Sequence, residues 1–160
     1  MEKHQKKLDP FYVTGLTDGE GCFSVSFSCR QKLKLKIETK PSFSLSLNKR
    51  DLDLVQKIRE YFCCGTVRYS RSDRMYKYES RSVSDLVTKV IPHFEKYPLQ
   101  SEKKKDFNLF VGICRSIRSN QHRNKSQLYH LIERAYQMNP SGKRRYVQQD
   151  LLRILDEFKV

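Results

Sequence analysis

Two carboxylates stand close together near the N-terminus, in a stretch rich in small residues. Asp18 and Glu20 alternate with Gly19 and Gly21 at the end of a predicted helix. Paired carboxylates can bind hard divalent cations such as Mg²⁺, which prefer oxygen ligands. Acids in turns are also commonly solvated, or cap a helix. The pattern therefore indicates a candidate metal site and leaves the simpler interpretation open.

The predicted helix that carries this pair begins at Asp9-Pro10, an N-cap followed by a proline at the first helical position. It runs to about Gly19, and Gly15 and Gly19 share one face because they lie four residues apart. Glycine within a helix costs about 1 kcal/mol relative to alanine. Two glycines on one face therefore indicate the close approach of another helix. Alternatively, Gly19 and Gly21 simply end the helix.

The chain carries a large positive charge that is spread along its length. It has 32 Lys and Arg against 18 Asp and Glu, a net charge of +14 over 160 residues. A folded domain with such a surface repels itself unless a polyanion is present. Nucleic acid is the favoured partner, since each neutralised phosphate releases condensed counterions. The alternatives are a basic surface without a ligand and a ribosomal-type protein.

Other classes of function find little support in the sequence. No apolar run is long enough for a membrane-spanning helix, and the N-terminus lacks the apolar region of a signal peptide, so we expect an intracellular protein. The five cysteines form no C-x-x-C pair, and the four histidines lack metal-ligand spacing. We therefore expect reduced core cysteines and no zinc site.

The segments after the first helix have the period of β-strands. Residues 23–29 and 42–48 alternate apolar side chains with small polar or basic ones, and Cys29 falls on the apolar face. Pro41 cannot donate to a ladder, so its strand is expected to be an edge or bulged there. A second hairpin is predicted over residues 66–71 and 75–81. Further helices are predicted over residues 51–62 (capped by Asp51), 84–94 (perturbed by Pro92), 101–118, 125–138 and 147–158.

This order predicts one α+β domain over residues 1–160, with an αββαββα arrangement followed by C-terminal helices. The two hairpins can join in one antiparallel sheet whose apolar face is covered by helices. We call the opposite face the polar face. Side chains at alternate positions of such a face can reach phosphates and base edges in the DNA major groove, although a solvated face is more common. The candidate DNA-binding residues on these strands and their loops are Ser24, Ser26, Ser28, Arg30, Lys32, Lys34, Lys36, Lys40, Ser42, Ser44, Ser46, Asn48, Arg68, Ser70, Lys77, Glu79 and Arg81.

The stretch Val13-Thr14-Gly15-Leu16-Thr17-Asp18-Gly19-Glu20-Gly21 resembles the motif of the LAGLIDADG homing endonucleases, and an F-S-V strand follows it as in that family. Other stretches are similar to the family in the same order, so the resemblance spans roughly residues 10 to 145. They are residues 41–47 with Lys49, Arg50 and Asp51, residues 58–67, residues 93–99 with Lys103, and the basic segment 139–145 with Lys143, Arg144 and Arg145.

The resemblance implies a four-stranded saddle-shaped sheet and roles for particular residues. Two motif helices would pack through Gly15 and Gly19, with Asp18 stabilising the pair. Glu20 would bind the metal, helped by the Gly19 carbonyl, and Lys103 would be the basic catalytic residue. Some members have Gln at the end of the second strand, where this chain has Leu47 next to Asn48. The residue that positions the attacking water is therefore not identified.

The resemblance also implies a function. One motif per chain implies a homodimer, and its two-fold symmetry implies a palindromic or pseudo-palindromic double-stranded DNA target. Mg²⁺ or Mn²⁺ would support cleavage, and Ca²⁺ would support binding without cleavage. Lys143, Arg144 and Arg145 would contact DNA. The family's role is homing of the mobile intron or intein that carries the gene, here in a bacterium, chloroplast or mitochondrion. The alternatives are a maturase acting on the host intron RNA and a non-catalytic DNA-binding regulator of the same fold.

Overall fold

Four antiparallel strands form one sheet, in the order β1-β2-β4-β3, in a computed structural model that describes residues 7–157. The chain begins with α1 (Pro10–Glu20) and then forms β1 (Gly21–Cys29), β2 (Ile37–Asn48), α2 (Leu52–Phe62), β3 (Thr66–Ser70) and β4 (Met75–Ser80). It continues with α3 (Val83–Asp85), a π-helical segment (Leu86–Val90), α4 (Ile91–Lys96), α5 (Lys103–Arg118), α6 (Lys125–Tyr136) and α7 (Gln148–Asp156). The predicted αββαββα order with C-terminal helices is confirmed.

The core lies between the apolar face of the sheet and the helices. Phe23 of β1 and Phe43 of β2 stack with their ring centroids 5.0 Å apart. Phe94 of α4 packs edge-on against both rings. All three side chains are at most 1% exposed. Aromatic pairs of this geometry contribute beyond their buried area, so this cluster fixes which face of the sheet points inward.

Strand β2 begins earlier than predicted, at Ile37, and runs through Pro41. Pro41 pairs with Val25 of β1, whereas the ladder between β2 and β4 begins only at Phe43. At Pro41, β2 is therefore paired with β1 but not with β4, so it is an edge on that side, as predicted. The N–H that proline lacks is not needed for a ladder with β4. The additional residues of β2 place Glu38 on the polar face opposite Ser28.

The helix ends differ from the predictions in ways that the contacts explain. Helix α1 includes Glu20, one residue beyond the predicted end. Asp51 makes no side-chain capping bond; instead the Asn48 side chain accepts from the backbone N–H of Arg50 at 3.2 Å and starts a short 3₁₀ turn. The π-helical segment ends just before Pro92, as expected where a proline lacks the N–H that a helix needs.

The C-terminal helices are shorter than predicted, and the predicted end of α7 at Phe158 lies outside the described residues. The expectation of core cysteines holds only for Cys114, because Cys22, Cys29 and Cys63 are exposed. Over residues 7–157, no helix combines the length and the apolar character needed to cross a bilayer.

A buried histidine joins three helices. Nε2 of His93 on α4 lies 3.1 Å from the Thr14 hydroxyl of α1, and Nδ1 lies 3.0 Å from the Tyr61 hydroxyl of α2. Because Thr14 donates its one hydroxyl proton to the Tyr97 carbonyl at 2.9 Å, Nε2 must donate to Thr14, and Nδ1 must accept from Tyr61. Burial lowers the pKa of His93 to about 4, so the ring is neutral at pH 7.

We expect the folded protein to lose stability as the pH falls from 6.5 towards 4. The pKa of His93 in the folded state lies below its ordinary value of 6.5, so the unfolded chain takes up the proton first and unfolding becomes more favourable. The loss in free energy of unfolding should be on the order of 3 kcal/mol. Urea denaturation at a series of pH values measures it. His93→Gln should remove this part of the slope, whereas His130→Gln, at an exposed ring, should retain it. The same slope in His93→Gln would contradict the assignment.

Candidate active site and nucleic-acid surface

Helix α1 is packed on one side only. Val13 and Thr17 face the core and are at most 1% exposed. On the opposite side, a Cβ added to Gly15 or Gly19 would meet no atom within 4 Å. Phe11, at the start of the same side, is 67% exposed. The described chain therefore presents an open glycine strip along the outer side of α1, with an aromatic side chain at its N-terminal end.

The C-terminal end of α1 is fixed by the start of α5. Lys103 Nζ donates to the carbonyl oxygens of Thr17 at 2.8 Å and Asp18 at 3.0 Å. A cation at this end of a helix also interacts favourably with the helix dipole. The Lys103 ammonium group has three N–H donors, so one remains for a further partner. Lys103 thus lies beside the candidate site and stabilises the helix that carries it.

The Asp18 carboxylate points to its own chain. It accepts from the backbone N–H of Gln100 at 2.8 Å and of Ser101 at 3.2 Å, and from the Ser101 hydroxyl at 2.7 Å. Partial burial acts against ionisation, but the hydrogen bonds from Gln100 and Ser101 outweigh it and lower the pKa of Asp18. Asp18 therefore anchors the segment between α4 and α5.

Glu20 is the last residue of α1, and it is exposed. Across residues 7–157, none of the hydrogen bonds or ion pairs engages its carboxylate. The same part of the chain contains no cluster of three or more His, Cys, Asp or Glu that could hold a metal. One chain therefore offers one free carboxylate at this point, and a complete metal site needs oxygen atoms from elsewhere.

The polar face begins directly after Glu20. Ser24 of β1 lies opposite Ser42 of β2, with their hydroxyl oxygens 2.9 Å apart, and Ser26 lies opposite Lys40. Continuous register across β2, β4 and β3 brings the remaining strand candidates to the same face. These residues are Ser28, Ser44, Ser46, Asn48, Arg68, Ser70, Lys77 and Glu79.

Some candidates lie away from the accessible part of this face. Ser44 is 7% exposed and Glu79 is 9% exposed, so the prediction that these two side chains contact DNA directly is corrected. Lys32, Lys34 and Lys36 lie in the loop between β1 and β2 and not on the strands; Lys36 has a positive φ of 57°. These three lysines extend the basic surface beyond the end of the sheet.

The sequence reasoning missed Glu38, which lies on the polar face between basic residues. Its carboxylate accepts from Arg30 Nε at 2.7 Å. The signal was present in the sequence, because the alternation of residues 42–48 continues backwards through Pro41 to Glu38. The proline interrupted that pattern in the prediction, although it does not interrupt the strand.

Residues 139–146, which we call the edge loop, cover the outer edge of β1. Asn139 Nδ2 donates to the Phe23 carbonyl at 2.7 Å. Arg144 donates to the carbonyls of Val25, Ala135 and Met138, and its guanidinium stacks on the Tyr136 ring. The prediction that Arg144 contacts DNA is therefore corrected, because its donors join the edge of β1 to the C-terminal end of α6. Lys143 and Arg145, on either side, are exposed.

We expect Arg144→Ala to lower the free energy of unfolding by about 2–3 kcal/mol, because three part-buried carbonyl oxygens lose their charged donor. Arg145→Ala is the matched control and should change stability by less than about 0.5 kcal/mol. Urea denaturation of the two variants at pH 7 compares them. Equal stability of both variants would show that Arg144 does not hold the edge loop.

The family model described as LAGLIDADG endonuclease matches residues 13–114, from α1 into α5. This chain belongs to the LAGLIDADG endonuclease family. The match covers more than half of the chain and includes residues 13–20 of α1, the whole sheet and Lys103. The resemblance inferred from the motif and the strand pattern is thereby confirmed.

Several proteins are similar in sequence to this LAGLIDADG endonuclease family member. The uncharacterized 50.9 kDa protein in ND4 intron 1 of Podospora anserina is 32% identical over 120 residues, 74% of this chain. The probable intron-encoded endonuclease 3 of Neurospora crassa is 30% identical over 134 residues, 83% of this chain. The chain spans about a quarter of the length of these two relatives, 26% and 25% respectively. Homing endonuclease I-ApeII of Aeropyrum pernix is 24% identical over 150 residues, which are 90% of this chain and 88% of that protein.

Solved structures of homing endonucleases share the fold. The structure of I-TnaI superposes with a TM-score of 0.82 and 34% identity, covering 95% of this chain and 99% of that one. The LAGLIDADG homing endonuclease I-LtrWI, solved bound to its target DNA, gives a TM-score of 0.83 and 28% identity. That alignment covers 88% of this chain and 47% of the I-LtrWI chain. The α+β fold with its four-stranded antiparallel sheet is thus that of the LAGLIDADG homing endonucleases.

Proposed function

We propose that the protein is a site-specific endonuclease that acts as a homodimer and cuts both strands of a long palindromic or pseudo-palindromic DNA target with the help of divalent metal ions. The observation that carries the proposal is the position of Glu20. Its carboxylate has no partner in the described chain and lies at the end of the helix that carries the open glycine strip. The first strand of the polar face begins at the next residue. These three features meet at one point of the fold.

A second copy of the chain is the occupant that suits the glycine strip. Gly15 and Gly19 leave space for another backbone, and an identical helix crossing there satisfies two-fold symmetry. Because each helix ends at Glu20, such a crossing brings two carboxylates towards each other. The dimer would thus supply the second carboxylate that one chain lacks.

The donor atoms fit Mg²⁺ or Mn²⁺. These ions are commonly held by one or two carboxylates together with substrate phosphates, and the two Glu20 side chains and the DNA would provide such a set, with the Gly19 carbonyl as a further oxygen. A divalent ion held there would neutralise charge at the scissile phosphate and would lower the pKa of a water molecule bound to it. Ca²⁺ is expected to support binding without cleavage, since its coordination is looser.

The neighbouring side chains of the same chain would prepare this site. Lys103 keeps the end of α1 in place through two carbonyls and retains an N–H donor for a phosphate oxygen or a water. Asp18 holds the segment before α5, and so positions Lys103. Leu47 is buried in the core, and Asn48 caps the turn that follows β2. The burial of Leu47 and the capping bond of Asn48 therefore give no reason to assign the attacking water to one of these two residues.

The polar face and the net charge of +14 support double-stranded DNA as the substrate. The strand serines other than the buried Ser44, and the arginines and lysines of the polar face, would face the major groove. Lys32, Lys34, Lys143 and Arg145 would extend the basic surface towards the phosphates. Binding through phosphates is sensitive to salt because counterions are released. Relatives named for introns support the proposal that the enzyme promotes homing of an intron.

The decisive test is cleavage of a randomised plasmid library by the wild-type protein with Mg²⁺, followed by sequencing of the cut ends. Glu20→Gln should then lose cleavage of the selected target by at least about 100-fold, because an amide is a poorer metal ligand than a carboxylate. Its binding to the same target in Ca²⁺ should stay within about threefold. Glu102→Gln is the matched control, since it removes an exposed acid close to the same helix end and should cut normally.

Cleavage by Glu20→Gln at the wild-type rate would remove Glu20 from the mechanism. Specific DNA binding by the wild-type protein without cleavage in Mg²⁺ or Mn²⁺ would favour the non-catalytic regulator. Tight binding to structured intron RNA in preference to DNA would favour the maturase.

We further expect Gly15→Leu to prevent dimer formation, because a leucine on the glycine strip holds the two helices apart. Gln56→Leu, on the exposed side of α2, is the control for an added surface leucine and should remain dimeric. Sedimentation velocity at micromolar concentration distinguishes the two states. A wild-type protein that stays monomeric both alone and on its DNA target would contradict the proposed assembly.

A further inference from the structure

Glu38 on the polar face lies among basic side chains. It accepts from Arg30 Nε at 2.7 Å and from the Ser28 hydroxyl at 3.3 Å, and Lys40 Nζ lies 3.3 Å away. The hydrogen bond from Arg30 is the main reason that the pKa of Glu38 falls below its ordinary value, so the carboxylate stays ionised. The Arg30 side chain is itself 59% exposed.

Glu79 forms a second such group at a different place on the same face. Its carboxylate lies 3.0 Å from Arg81 Nη2, 3.3 Å from Lys77 Nζ and 3.8 Å from Arg68 Nη2. Only 9% of the Glu79 side chain is exposed, whereas Arg81 is 66% exposed and Arg68 61%. The acid therefore lies beneath, and the guanidinium groups face outwards.

The presence of two carboxylates on a surface that is proposed to bind a polyanion needs a physical explanation. Each one opposes phosphate binding by its charge, and surface ion pairs add little to folding stability. The effect of these acids on side-chain orientation is larger than their effect on stability. A carboxylate that accepts from one nitrogen of a guanidinium group fixes the direction in which the other nitrogens point. Arg30 uses Nε for Glu38, so the donors on both of its terminal nitrogens remain for another partner.

We propose that Glu38 and Glu79 are specificity-determining residues that hold Arg30 and Arg81 in the orientation needed to read guanine in the major groove; this inference rests on the proposed DNA-binding function. An arginine can donate two hydrogen bonds to O6 and N7 of guanine, and this contact distinguishes guanine from the other bases. An arginine already held in place loses less side-chain freedom on binding. The two acids thus weaken general attraction to DNA and sharpen the choice of sequence.

The positions of the two groups predict which base pairs they affect. Glu38 lies opposite Ser28, eight residues after Glu20, which at about 3.3 Å per residue is roughly 26 Å along β1. Glu79 belongs to the cross-strand row of Cys22 and Ser44, only two residues from Glu20 along β1. Glu38 should therefore control a base pair about eight steps from the centre of the target, and Glu79 one much closer to the centre.

The test is selection of bound sequences from a randomised DNA library in Ca²⁺, with the wild-type protein, Glu38→Gln and Glu79→Gln. Each variant should lose about tenfold preference for guanine at one position per half-site, and the two positions should differ. Binding to unrelated DNA should stay equal or become tighter, since a negative charge is removed. Glu95→Gln is the matched control: it also breaks an ion pair with an arginine, Arg115, but on α4, and it should leave the sequence profile unchanged.

Arg30→Met adds a second measurement that does not depend on the folding of the Glu79 variant. Methionine has a side chain of comparable reach but no hydrogen-bond donor for guanine, so this variant should lose at least the guanine preference that Glu38→Gln loses. The double variant Arg30→Met/Glu38→Gln should lose no more than Arg30→Met alone. The inference is overturned if the wild-type protein selects a target but Glu38→Gln and Glu79→Gln select it with the same profile. It is also overturned if Arg30→Met keeps the preference that Glu38→Gln loses, since Arg30 would then not make the base contact that Glu38 supports. A wild-type protein that selects no sequence contradicts the proposed function instead.

Discussion

The structure depends on the one-sided attachment of helix α1. Its inner side is held by the buried Val13 and Thr17, and its end by Lys103. These contacts fix the direction of the helix without covering its outer side. The glycine strip remains open for that reason, and Glu20 projects from a fixed point although no side chain of the described chain binds it. The same packing therefore supports the end of α1 and leaves the Glu20 carboxylate without a partner in the described chain.

The sheet extends this fixed point into a surface. Stacking of Phe23 on Phe43 sets the register of β1 and β2, and a slip of one residue would turn their serines and basic side chains into the core. The apolar face therefore determines what the polar face presents. At the outer edge of β1, Arg144 donates to the Val25 carbonyl and Asn139 donates to the Phe23 carbonyl, and another strand would otherwise pair with these oxygens. Within the edge loop, Arg144 therefore covers the edge of β1, whereas Lys143 and Arg145 are exposed to solvent.

Local pattern predicted the elements well, because periodicity reports which face of a strand or helix is buried. The order of elements, the edge at Pro41 and the position of Glu20 at the end of α1 followed from residues close together in sequence. What could not be predicted depends on contacts distant in sequence. The carbonyls bound by Arg144 lie up to 119 residues away, and the partners of Asp18 lie 82 and 83 residues away. From their charge alone, Arg144 and Lys143 were both predicted to contact DNA. Their different roles follow only from the packing of the edge loop, in which Arg144 binds backbone carbonyls and Lys143 is exposed.

The central claim is that two Glu20 side chains, one from each copy, form the metal site on the two-fold axis. The most direct measurement is the crystal structure of the protein with its selected DNA target and Mn²⁺, using the anomalous scattering of manganese to locate the ions. The account predicts manganese beside the Glu20 carboxylates of two copies related by a two-fold axis, in contact with the scissile phosphates. Manganese bound elsewhere, or one protein chain per target without a partner copy at the glycine strip, would contradict it.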